Sequence, residues 1–237
     1  MILANLRERL TPSDVELVLR VLNVTGITPP DAIQTAGGEE FDQLLDAADL
    51  PERLRSSPGL GEPSAALFVY VTVRHSLLGA GIDDRDLSNY LGALLLEFGV
   101  RDRALRISWH DDEVYRYLVD LVAAIGGSEG RRALLLRAHL GNFALWLSGM
   151  FPDRITARED RRGGPGFSYY EGLGERGFRL AADHRLARQL QLREIYRAAA
   201  DSFRVLRIAL NQLSDRLLFP HVHTPARLLR QVSDAAG

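Results

Sequence analysis

The sequence predicts an all-α protein, a multi-helix bundle of about eight to ten helices with one long heptad-patterned helix near the C-terminus. Three observations carry this. Apolar residues recur at spacings of three and four through most of the chain, while β-branched and aromatic residues crowd only one short stretch. Helix-start and helix-stop residues bracket these periodic segments. Late in the chain Leu192, Tyr196, Ala199, Phe203, Leu206, Leu210, Leu213 and Leu217 alternate spacings of four and three without a break.

Taken in order, Ser13 and Glu16 stand as a capping box ahead of a Val15, Leu19, Leu22 face, and Pro29-Pro30 closes that helix. Glu40 to Leu50 forms another helix. The stretch Ser56 to Pro63 is a loop, and it divides a small N-terminal subdomain, 1–57, from a main bundle, 63–237. Within Pro63 to Leu78 the run FVYVTV has strand composition, but a lone strand has no partner, so the segment reads as a buried helix. Asp83 caps a helix with Leu87, Leu91, Leu94 and Phe98 on one face. Ser108 to Asp112 opens the next, which carries Val114, Leu118, Leu121 and Ile125 and ends at Gly126-Gly127. Glu129 to Ser148 follows with a Leu136, Leu140, Phe143, Leu147 face, stopped by Gly149 and Pro152.

The seam from Leu192 to Leu217 predicts a helix over about 185–219, roughly 50 Å long at 1.5 Å per residue. Such a helix is either the spine of a bundle or one side of a homodimer, with Tyr196, Phe203, Leu206, Leu210, Leu213 and Leu217 at the interface. A last short helix, Pro225 to Val232, follows Pro220.

Composition removes whole classes of chemistry. All 29 basic residues are Arg, so a Schiff-base lysine or a Walker-type lysine is excluded. There is no Cys, hence no disulfide, thiolate metal site or cysteine nucleophile. A net charge of -2 argues against a dedicated nucleic-acid binder. The N-terminal residues lack signal-peptide character, and the most apolar stretch, Ala65 to Val73, is too short to span a membrane; a soluble cytoplasmic protein is expected.

Two segments are candidate ligand sites. Arg158, Arg161 and Arg162 lead into Gly163-Gly164-Pro165-Gly166, with a helix starting near Ser168, a combination of guanidinium groups, free backbone and helix N-terminus suited to an anion. His139, Asn142 and Trp146 form a polar-aromatic stripe at i, i+3 and i+7, which Tyr170 would join if the helix after the Gly-rich loop packs nearby. In that helix Gly174, Gly177 and Ala181 form a face without bulk, which predicts a close backbone crossing.

No metal or other cofactor is predicted: His221 and His223 have no third ligand nearby, and no ExxH or HExxH motif occurs. Arg74-His75-Ser76 followed by Gly92 to Gly99 resembles the HD-type phosphohydrolase pattern in outline, but Leu96 and Glu97 stand where its metal-binding His and Asp would be. At most that resemblance implies a metal-free relative, and no family is assigned on it. No catalytic set is recognisable. The leading expectation is therefore a protein acting through association with itself or another protein. The alternative is an anion-binding protein or enzyme, with a pocket between the His139/Asn142/Trp146 stripe and the Arg161–Gly166 loop.

Overall fold

The computed structural model describes residues 1–24, 38–56, 59 and 61–235, and the statements that follow concern those residues. They are all-helical, with thirteen α-helices, two short 3₁₀ turns and no strand. The chain divides into two compact units, Ile2–Leu96 and Glu97–Gly237 together with Met1.

The first unit holds α1 (Pro12–Val21), α2 (Glu39–Leu45), α3 (Leu50–Ser56), α4 (Ala65–Gly79) and most of α5 (Arg85–Phe98). α3 and α4 pack on each other, so the predicted division between 57 and 63 falls inside this unit. The capping box lies two residues earlier than expected. Thr11 is the N-cap, its side chain accepting from Asp14 N–H at 3.2 Å while Asp14 accepts from Thr11 N–H at 2.8 Å. Pro12 favours that register, because the first helical position needs no N–H donor. α1 ends at Asn23, whose left-handed φ of 55° lets Val24 N–H reach back to Leu19 O at 2.9 Å. Pro29-Pro30, the predicted stop, lies outside the described residues.

The FVYVTV run is helical, within α4, with Tyr70, Val71 and Val73 buried. A helix apolar on most sides is stable only when covered on most sides, and tertiary burial here overrides strand propensity. α5 is capped by Asp84, which accepts from Leu87 N–H at 2.8 Å, rather than by Asp83. Asp83 instead reaches the buried Arg74, which also makes a bidentate pair with Asp46 at 2.7 and 2.9 Å.

The second unit is organised around α7 (Gly130–Met150), which packs against α6 (Leu118–Gly126), α9 (Phe167–Ala182) and α12 (Phe203–Leu217). The predicted crossing at the small-residue face is present. A Cβ at Gly177 would lie 2.6 Å from Gly141 N and 3.0 Å from Arg137 O, so the backbones of α9 and α7 touch where side chains are absent. α7 does not stop at Gly149, which is helical and faces Leu210. Its last carbonyls are capped from α12: Asn211 donates to Ser148 O (2.7 Å) and Gly149 O (2.8 Å), and Ser214 donates to Met150 O (2.8 Å). Pro152 then opens α8 (Pro152–Arg162). α6 begins at Leu118, not at 108–112. The preceding segment is irregular, tied by Tyr115 N–H to Leu105 O at 2.7 Å, and Val114 is exposed.

The long C-terminal helix is three helices, α10 (Arg185–Gln189), α11 (Arg193–Asp201) and α12, followed by α13 (Pro225–Ala235). Gln191 adopts a left-handed φ of 56°, and Leu192 N–H bonds back to Ala187 O at 2.9 Å, a helix-ending motif that the apolar spacing runs straight through. Ser202 interrupts the chain again just before Phe203, whose ring fills the space over Gly174. These breaks, with the unpredicted α3 and α8, are why the helices outnumber the prediction. Tyr196, Phe203, Leu206, Leu210 and Leu213 are buried by the chain itself, and only Leu217 keeps partial exposure. Along these five residues the seam packs within the chain.

Candidate functional site: an arginine-lined cleft

α8 has the sequence PDRITAREDRR. Arg154, Arg158, Arg161 and Arg162 fall at i, i+4, i+7 and i+8, so helical geometry alone places them on one face. Asp153, Glu159 and Asp160 fall on the other side. Gly163, at a left-handed φ of 59°, closes the helix with its N–H on Glu159 O at 3.0 Å. The expected long loop is thus a turn of four residues between α8 and α9, and the arginines are helical.

The arginine face forms one wall of a cleft of about 770 Å³. Leu105, Arg116, Tyr117, Phe143, Trp146 and Phe151 also line it. No carboxylate lines the cleft. Among the described residues Arg116, Arg154, Arg158, Arg161 and Arg162 make no ion pair, in contrast to Asp153 on the opposite face, which pairs with Arg227 at 2.7 Å and Arg230 at 3.4 Å. The five guanidinium groups therefore raise a positive potential in a concavity that nothing in its own lining neutralises.

The aromatic lining is held from behind. Trp146 meets Phe151 edge-on at 5.5 Å and Phe98 at 5.9 Å. His139 stacks on Phe143, one of the lining residues, at 5.8 Å. Complete burial, reinforced by the charge of Arg103, pushes the His139 imidazole down to about 3, so it stays neutral; its Nε2 has no hydrogen-bond partner. Arg103 is itself buried, 3.2 Å from Glu97, donates to Arg106 O at 2.6 Å and lies over the Phe98 and Trp109 rings.

Of the residues singled out from sequence, Trp146, Arg158, Arg161, Arg162 and Tyr170 line this one cleft. His139 and Asn142 do not; both are buried beneath it, 3% exposed. The start of α9, predicted as part of the anion site, is already occupied. The Glu159 carboxylate packs against Gly166, the N-cap, where it meets the helix dipole. Arg116, Tyr117, Arg154 and Phe151 were not anticipated. Arg154 was within reach, because it lies four residues before Arg158, whereas Arg116 and Tyr117 arrive from a distant irregular segment that no spacing rule relates to α8.

The other candidates do not assemble into sites. His221 and His223 are exposed on a turn, and no group of His, Asp or Glu among the described residues is placed to hold a metal ion. His75, from the phosphohydrolase-like pattern, hydrogen-bonds the Leu45 carbonyl at 2.9 Å. No helix among the described residues is long and apolar enough to cross a membrane. Compared with protein-family models, curated proteins and solved structures, the chain matches none.

Proposed function

We propose that this protein binds a small anionic ligand in the cleft between α8, the 104–117 segment and the end of α7. One observation carries the reading: five arginines without ion-pair partners among the described residues face a concavity whose lining contains no carboxylate. Guanidinium groups bind phosphate and carboxylate bidentately, and the volume suits a metabolite-sized ligand. The lining offers only the phenols of Tyr117 and Tyr170 as proton-transfer groups, which supports a binding role rather than bond-making chemistry. Titration calorimetry of the full chain with inorganic tripolyphosphate tests it. Saturable binding is expected, weakened more than tenfold in an Arg158→Ala/Arg161→Ala double variant; parent and variant binding alike overturns it.

A second reading, association with another copy of the chain, is favoured by a different observation. α13 turns Arg227 and Arg230 inward and leaves Leu228, Leu229 and Val232 at 56%, 73% and 68% exposure. That face, rather than the Leu192–Leu217 seam, is where a dimer would form. Light scattering at micromolar concentration tests this reading: a dimer that Leu229→Asp converts to monomer supports it, and a monomeric parent overturns it.

A further inference from the structure

We propose, resting on the cleft reading above, that the ligand is nucleotide-like: a chain of two or three phosphates joined to a flat aromatic ring. The cleft is lined by two kinds of side chain. Arg154, Arg158, Arg161 and Arg162 run along about 12 Å of α8, at 1.5 Å per residue, a length that matches a short chain of phosphates better than a single anion. The rings of Trp146, Phe151 and Tyr117 line the same cleft. An anion alone needs no such surface, and an apolar ligand alone needs no arginines; the two together suit a molecule with a charged tail and a planar body.

Two features make the aromatic surface a platform rather than ordinary core. Trp146 is only partly buried, with Phe98 and Phe151 set edge-on against it, so its ring is fixed while retaining exposure. Tyr117 is 59% exposed beside Arg116, so its ring is open to solvent within the lining. Stacking a base on an aromatic side chain is worth about 1–3 kcal/mol, or roughly five- to two-hundredfold in affinity.

The cleft fits a free nucleotide better than a nucleic-acid strand. The segment that brings Arg116 carries Asp111, Asp112 and Glu113 shortly before it, Asp111 and Glu113 paired with Arg132, and the other side of α8 presents Glu159 and Asp160. A strand continuing past either edge would meet carboxylates, and the net charge of -2 gives no wider basic track.

The test uses the full chain with Trp109→Phe, which leaves Trp146 as the only tryptophan. ATP, inorganic tripolyphosphate and an eight-residue oligothymidylate are titrated in turn, read by Trp146 fluorescence and by calorimetry. The expected result is that ATP quenches Trp146 and binds at least tenfold more tightly than tripolyphosphate. Trp146→Leu, measured by calorimetry, should remove that advantage. Equal affinity for ATP and tripolyphosphate without quenching overturns the nucleotide inference and leaves the anion reading standing. Oligothymidylate binding more than tenfold tighter than ATP overturns it in favour of a strand. If none of the three binds, both readings fall.

Discussion

Two sets of arginines in this protein are opposite in environment. In the first unit Arg74 is 1% exposed and held by Asp46 and Asp83, while Arg85 reaches the same Asp46 at 2.7 Å and Arg7 pairs with Asp42. In the second, the α8 arginines stand exposed along a cleft with no carboxylate within it. The difference separates two uses of one side chain. Where each guanidinium is matched by an internal anion, the cluster holds helices α2, α4 and α5 together. Where none is matched, the charge is left over for something from outside.

The comparison breaks most easily at Arg74. Asp46 would be raised by its own burial, but hydrogen bonds from Arg74 and Arg85 outweigh that and hold its carboxyl below its ordinary value. Removing Arg74 therefore strands Asp46 with a single partner and leaves a cavity among Tyr70, Leu77 and their neighbours. Arg74→Ala should destabilise by about 3–5 kcal/mol, measured by urea unfolding, as expected when one member of a buried pair is lost. A loss below 1 kcal/mol would mean the cluster is a solvated ion pair and not a fastening.

Acidification sharpens the contrast, because the two units lose stability in different pH windows. His139 stays unprotonated in the fold down to about pH 3, whereas the unfolded chain takes up the proton near 6.5. Between those values the unfolded state binds more protons, so stability falls as pH drops, by up to about 1.4 kcal/mol per pH unit. Asp46 behaves differently: its contribution is complete above its unfolded value of 3.8 and is lost only as pH falls further through its lowered folded value. His139→Phe, among Phe98 and Phe143, should flatten stability between pH 6.5 and 5, where the parent loses about 2 kcal/mol. An unchanged slope in the variant would show that another group sets the acid sensitivity.

How much of this was legible in the sequence depends on whether the signal was local. The α7 helix, the buried Leu87/Leu91/Leu94/Phe98 face and the Gly177 crossing follow from periodicity and from missing bulk, which any neighbour must respect, whereas α4 followed only from the lack of a partner for a lone strand. The heptad seam misled because apolar spacing reports which side is buried and is blind to Gln191, where one left-handed residue redirects the chain while the pattern continues. At the site, Arg158, Arg161 and Arg162 were visible as a charge cluster ahead of a Gly-rich stretch, although their helix was not, and Trp146 and Tyr170 were visible from helical spacing and from the helix after that stretch. His139 and Asn142 were placed one layer too far out, since a stripe at i, i+3 and i+7 does not say which of its members reaches the surface. Arg116 and Tyr117 come from irregular chain, where no spacing exists to read.

The smallest expected effect is the one on which the comparison finally depends. Arg161→Ala together with Arg162→Ala should leave unfolding stability within about 0.5 kcal/mol of the parent. Both residues are exposed and without an ion-pair partner, so no buried carboxylate is stranded by their loss. They do lie in the last turn of α8, where a cation interacts favourably with the helix dipole by about 0.3–1 kcal/mol. Alanine recovers part of that through its helix propensity, the highest of any residue. The same double variant should lose more than tenfold in affinity for tripolyphosphate. A change of ten in binding beside almost none in folding is the signature of residues kept for a ligand. If the variant instead melts many degrees lower, the α8 arginines belong with Arg74, as internal fastenings, and the cleft loses its claim to be a site.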